Sequence, residues 1–205
     1  NKIDNRAGNL NSIRQSLSRL RDLLNTNITD VSKCRWVTLT YAENMTDPKR
    51  LMKDFEKFHK RMSYKLSKDG FKYEYIVCME PQGRGAWHAH LVMIFNKTAP
   101  YIPNDEMANA WGHGFTTTKK LEDVDNVGAY LTAYLGDMDI SDARNLSEDE
   151  LNSMRSFGIK EVEVDGTTKS ILKGARLHMY PPKFNLYRFS RGIKKPIVNY
   201  ETEMQ

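Results

Sequence analysis

The stretch "GAWHAHLVMIF" at residues 85–95 sets His88 and His90 one residue apart inside a run otherwise apolar enough for a protein core. On a strand successive side chains alternate, so the two imidazoles project from one face about 7 Å apart, a distance one metal ion can bridge. Trp87, Ala89, Leu91 and Met93 take the other face. A strand that is apolar on both sides belongs in the middle of a sheet, where two imidazoles are costly unless hydrogen-bonded or coordinated. The preceding apolar run, "KYEYIVCME", ends in Glu80. If the hairpin register pairs even-numbered residues with even-numbered ones, Glu80 shares the histidine face. A Glu80, His88 and His90 set with open positions suits a divalent ion that must still bind a substrate oxygen. The alternative is a pair of hydrogen-bonded core histidines with no metal.

The elements that must hold these residues follow from periodicity and punctuation. "NLNSIRQSLSRLRDLLN" places Leu10, Ile13, Leu17, Leu20 and Leu24 at steps of three and four, an amphipathic basic helix within residues 1–33. "CRWVTLTY" reads as a strand. Asp47 then caps, and Pro48 opens, a helix striped by Leu51, Phe55, Phe58, Met62 and Leu66. "KYEYIVCME" and "AWHAHLVMIF" form a hairpin joined by the glycine loop "PQGRG". "PNDEMANAW" reads as a short helix and "GFTTTKKL" as a short strand. "DVDNVGAYLTAYLGDM" reads as a helix with Val124, Val127, Leu131, Leu135 and Met138 on one side. From Cys34 to Asp137 the order is β-α-β-β-α-β-α, which predicts an α+β, ferredoxin-like (split β-α-β) fold: an antiparallel-rich central sheet of about five strands covered by helices. The expected layout is a core at 34–138, followed at 139–205 by an acidic insertion and a basic-aromatic extension of the same domain. Within that extension a helix is expected near Ser147, where Ser147 and Glu150 have capping-box spacing, and a hairpin turning at Asp165-Gly166.

Composition bounds the function classes. With 205 residues and 40% hydrophobic content, the chain can bury a core, so a disordered chain is excluded. "LVMIF" is far below the roughly 20 residues of a membrane span, and no apolar signal core opens the sequence, so a soluble cytoplasmic protein with no membrane partner is expected. Cys34 and Cys78 lack metal-site spacing and read as two reduced, buried thiols. The net charge of +5 is unevenly placed: residues 166–195 contain no acid. There Arg176, Lys183, Arg188, Arg191, Lys194 and Lys195 alternate with Tyr180, Phe184, Tyr187 and Phe189, a composition suited to single-stranded nucleic acid. A solvated basic face with packed aromatics is the competing reading of that segment. His59, His113 and His178 have no spaced partner and are expected in surface or turn roles.

Three motifs in order carry a family resemblance. "HAH" after a strand-ending Glu resembles the histidine-hydrophobe-histidine (HUH) motif of rolling-circle replication initiators and of related relaxases and small transposases. "WVTLTY" resembles the strand motif that precedes it, and "YLTAY" resembles the paired tyrosines of phage-type and plasmid-type initiators. The resemblance implies an endonuclease that nicks single-stranded DNA at a replication origin of a phage, plasmid or mobile element. Tyr130 and Tyr134 would be the nucleophiles and Mn2+ or Mg2+ the cofactor, held by Glu80, His88 and His90; a host helicase and polymerase would be the further partners. Of the two tyrosines, Tyr130 projects further from the apolar stripe and is the expected first nucleophile. Many members carry Lys three residues after the first tyrosine; here that residue is Ala133, and Lys119 or Lys120 is the candidate replacement cation. A relaxase or transposase with the same chemistry, and a non-catalytic nucleic-acid-binding module, are the rival readings. The 205 residues contain no GxxxxGK[ST] helicase motif.

Overall fold

The computed structural model describes residues 4–83, 85–122, 126–139, 147–149, 158–164 and 166–197. A long helix, α1 (Asp4–Asn27), leads into β1 (Cys34–Leu39). Then follow α2 (Pro48–Lys68), β2 (Tyr73–Pro81), β3 (Trp87–Phe95), α3 (Asn104–Trp111), β4 (Thr116–Lys120) and α4 (Val127–Gly136). Asp47 caps α2 by accepting from the Lys49 amide at 2.9 Å, with Pro48 in its first turn. The expected stripe of Leu51, Phe55, Phe58, Met62 and Leu66 is buried. Gly112 ends α3 in the left-handed region, at φ 75°, where a glycine avoids a Cβ clash.

The main sheet is antiparallel throughout, in the order β4-β1-β3-β2-β8, with β8 at Tyr187–Phe189. β1 and β2 run in the same direction with β3 inserted between them, the split β-α-β arrangement expected from the order of elements. The histidine strand β3 is therefore central, as its two apolar faces require. α2 packs on one face through Phe55 against Tyr75, and α3 packs against α2 and β4. α4 lies over the other face, backed by α1. Leucines and isoleucines of α1, including Ile13, Leu20 and Leu24, join the central core.

Outside the central sheet, β5 (Met138–Asp139), β6 (Ile159–Val164) and β7 (Thr167–Leu172) form a second sheet in the order β5-β7-β6. The β6–β7 hairpin turns at Gly166, φ 76°, as expected. The last helix of the core differs from its expected span. Asn126 accepts from the Ala129 amide at 2.9 Å and starts α4 at Val127, while Met138 leaves the helix to pair with Leu172. Val124 lies outside the described residues, as does most of the helix expected after Ser147. Both cysteines are buried free thiols; burial pushes Cys34 up to about 11 and raises Cys78 as well, which keeps both protonated. Among the described residues, no helix is long and apolar enough to cross a membrane.

Candidate active site

Register assembles the polar cluster. Glu80 on β2 pairs with His88, and Cys78 pairs with His90, so even-numbered residues of the hairpin share a face. On the other side of β3, Thr38 of β1 pairs with His90. The Thr38 hydroxyl lies 3.1 Å from His90 Nδ1, and His90 Nε2 bonds the Glu80 carboxylate. Gln82 Nε2 lies 2.9 Å from His88 Nδ1. Trp36 stacks on the His90 ring at 5.1 Å and 9°. Both imidazoles are thus oriented through Nδ1 by a neighbouring side chain, an outer contact of the kind that fixes a ligand histidine's ring and tautomer. With the Gln82 amide oxygen turned toward Nδ1–H, His88 would present the Nε2 lone pair.

Arg176 arrives from the far end of the chain. Its Nε donates to the Asp137 carbonyl at 2.8 Å and lies 3.2 Å from Glu80 Oε1, and its Nη1 donates to the Pro81 carbonyl at 2.9 Å. Glu80, His90 and Arg176 are only 6%, 5% and 7% exposed. Burial alone would raise the Glu80 pKa, but the His90 hydrogen bond, helped by the charges of His90, Arg176 and His88, outweighs it and holds the carboxyl below its ordinary value. His88 is pushed down chiefly by burial, with Glu80 opposing. Both shifts keep these groups in the metal-binding protonation state near neutral pH.

The donor chemistry fits a divalent ion: one carboxylate and two imidazoles on a shared face, each imidazole braced at Nδ1. The cage is not closed, however. Among the described residues, no three His, Cys, Asp or Glu side chains converge closely enough to hold a metal ion. His90 Nε2 and one Glu80 oxygen are hydrogen-bonded to each other, and the other Glu80 oxygen faces Arg176.

α4 suspends the tyrosines above this face. Their hydroxyls are 3.1 Å apart and their rings meet edge-on at 5.6 Å. Tyr134, 40% exposed, tilts against both Trp36 and His90, with ring centroids 5.9 Å and 6.1 Å away. Tyr130, 51% exposed, projects further out, in keeping with its position off the apolar stripe. Ala133 is exposed on the same helix. At its first turn, the height of α4 is set by its contact with α1. Gly128 donates its amide to Asn25 Oδ1 at 2.7 Å, and a Cβ there would fall 2.3 Å from the Arg21 carbonyl oxygen.

The basic residues scatter. Lys119 pairs with Trp36 and is exposed on the histidine face, while Lys120 pairs with Arg35 on the reverse face, lining an open cavity of about 710 Å3 at the β4 edge. Arg188 pairs with Val77 and comes within 3.7 Å of Glu56 of α2, also on the reverse face. Lys183 sits at a left-handed turn, φ 56°, and is exposed, as are Arg191, Lys194 and Lys195. Arg176 departs from the expectation that it contacts DNA: its guanidinium is buried on Glu80 and two carbonyls, not offered to solvent. Two other histidines have partners that spacing did not reveal. His59 Nδ1 lies 2.7 Å from the Tyr73 hydroxyl, and His113 Nε2 lies 3.5 Å from Asp54 Oδ1. Trp36, Thr38 and Gln82 were also missed as site residues. Strand alternation puts Gln82 two residues beyond Glu80 on the same face, so that signal was available.

A split β-α-β sheet with a histidine pair on its central strand, beneath a helix bearing two tyrosines, is consistent with a rolling-circle replication initiator. Residues 34–139 match the family model described as Replication-associated protein, of the ORF2 type, and the chain belongs to that family. No curated protein and no solved structure matches the chain.

Proposed function

We propose that the protein is a metal-dependent endonuclease that nicks and rejoins single-stranded DNA at a replication origin through a 5'-phosphotyrosine link. The observation that carries this reading is the placement of two tyrosines over the histidine strand, with Tyr134 in tilted ring contact with His90 and hydrogen-bonded to Tyr130. A tyrosine nucleophile forms a covalent link that stores the phosphodiester bond for rejoining, which attack by water would discard. Tyr134 loses its phenolic proton, its oxygen bonds to phosphorus, and the 3'-oxygen leaves as a 3'-hydroxyl. In place of Tyr130, the first nucleophile expected from the sequence, Tyr134 takes the first cleavage in this reading because its ring meets His90, and Tyr130 remains for a second transfer. Mn2+ or Mg2+ held by Glu80, His88 and His90 would neutralise charge on a non-bridging phosphate oxygen. Thr38 and Gln82 orient the two imidazoles for that purpose, and Lys119, exposed on the histidine face, would stand in for the lysine absent at Ala133.

The open ligand set, with Arg176 on Glu80, favours a second reading: a nucleic-acid-binding module with no nicking activity. Labelled single-stranded oligonucleotides incubated with Mn2+ separate the two. A denaturant-resistant adduct that is lost in the Tyr130→Phe, Tyr134→Phe double variant supports the nuclease. Tight binding without adduct on every origin-like sequence supports the module. A relaxase or transposase would share the adduct, and the cleaved sequence would tell these apart.

A further inference from the structure

The segment 174–180 lies beyond the residues that match the family model, yet it ties together the two halves of the proposed site. On one side it holds the end of β2. Arg176 Nη1 donates to the Pro81 carbonyl at 2.9 Å, its Nε lies 3.2 Å from Glu80 Oε1, and the Tyr180 hydroxyl lies 3.1 Å from the Met79 carbonyl. On the other side it holds the end of the tyrosine helix. The Leu135 carbonyl receives the Tyr180 hydroxyl at 3.0 Å, the Gly136 carbonyl receives the Arg176 amide at 3.0 Å, and the Asp137 carbonyl receives Arg176 Nε at 2.8 Å.

The last carbonyls of a helix have no partner within it. α4 has no basic residue in its last turn. A guanidinium at that end also opposes the partial negative charge of the helix C-terminus. We propose that Arg176 and Tyr180 are positioning residues that cap the tyrosine helix from outside and fix it to the Glu80 end of β2, so that tyrosine hydroxyls and carboxylate-histidine cluster keep one separation. This rests on the nicking reading for its catalytic consequence, but the brace itself is a property of the fold. Each residue spans both elements, so loosening either lets α4 shift relative to β2 without removing a nucleophile or a proposed metal ligand.

Two conservative variants of the full chain test it. Tyr180→Phe deletes only the hydroxyl and keeps the ring that packs on Trp87 and Phe184. Arg176→Lys keeps a cation beside Glu80 but cannot reach two carbonyls from one planar group. The adduct-forming rate constant at saturating single-stranded oligonucleotide is expected to fall about tenfold to a hundredfold in each, the scale of an ångström misplacement. The oligonucleotide Kd should stay at the parent value, and amide hydrogen exchange across 129–137 should quicken. Parent rates at saturation, or a loss that appears only as weaker DNA binding, would overturn the proposal. If the parent chain forms no adduct, the nicking reading fails and hydrogen exchange alone decides: unchanged protection of α4 overturns the brace, and faster exchange upholds it.

Discussion

Replacing Gly128 with alanine asks how closely the tyrosine helix must sit. The new Cβ would lie 2.3 Å from the Arg21 carbonyl oxygen and 2.8 Å from Asn25 Oδ1. Neither partner yields easily, since one is helical backbone and the other already accepts the Gly128 amide at 2.7 Å. To reach ordinary contact the two helices must part by about 1 Å at this end. Forcing a methyl group into a filled contact costs about 1–3 kcal/mol, and weakening the Asn25 bond adds about 1 kcal/mol. Alanine's better helix propensity returns at most about 1 kcal/mol. The net destabilisation is therefore about 2 kcal/mol, which for a chain of this size lowers Tm by roughly 4–8 °C. The same displacement carries Tyr130 and Tyr134 away from His90, and a misplacement of about 1 Å reduces reaction rate by about a hundredfold. Thermal unfolding and the rate of adduct formation, measured on the same preparation well below Tm, check both effects. An unchanged Tm together with an undiminished rate would refute the premise that this helix contact sets tyrosine height.

Acid should destabilise the fold in two stages. His88 is held below its unfolded value of 6.5, so the unfolded chain takes up that proton first and stability falls as pH drops below about 6.5. Glu80 is held below 4.5, so its contribution is complete above that pH and is lost as pH falls through its lower folded value. Tm measured from pH 7 to 3 should decline across both windows, and His88→Gln should reduce the upper decline, to which His59, also lowered by burial, contributes as well; an unaltered upper decline would count against His88 burial as a cause. Lys119 and Lys120 should differ by face. Lys119→Ala is expected to reduce the slope of log affinity for single-stranded DNA against log salt by about 0.7, and Lys120→Ala to leave it at the parent value. Fluorescence anisotropy across a salt series reads both, and equal slopes for the two variants would remove the assignment of the histidine face as the DNA track.

The features legible beforehand are those written in local periodicity. Alternation along 87–95 specified the face of His88 and His90, and parity in the hairpin brought Glu80 to it, as the Glu80–His88 register bears out. A spacing of four placed Tyr130 and Tyr134 one turn apart, and their hydroxyls meet. The rest depended on pairing across long separations. Arg176 reaches Pro81, 95 residues earlier, and nothing in a run of basic residues distinguishes the one that is buried. Lys119 and Lys120 look alike until the register with Trp36 and Arg35 sends them to opposite faces. The start of α4 was misplaced for a similar reason: Asn126 is both its cap and the acceptor for Asn25, a partner 101 residues away.

The edge strand β8 has a consequence in time as well as in space. The sheet gains its fifth strand only when residues 187–189 dock on β2, and Asn27 then exchanges two side-chain hydrogen bonds with the backbone of Lys194, each 2.8 Å. Such closures span most of the chain, and loop entropy makes contacts of that separation slow to form. During synthesis the histidine strand and both tyrosines would emerge well before the strand that covers the β2 edge. A fragment cut at residue 139 would resemble that unfinished chain, with a long unpaired edge inviting another copy to add itself.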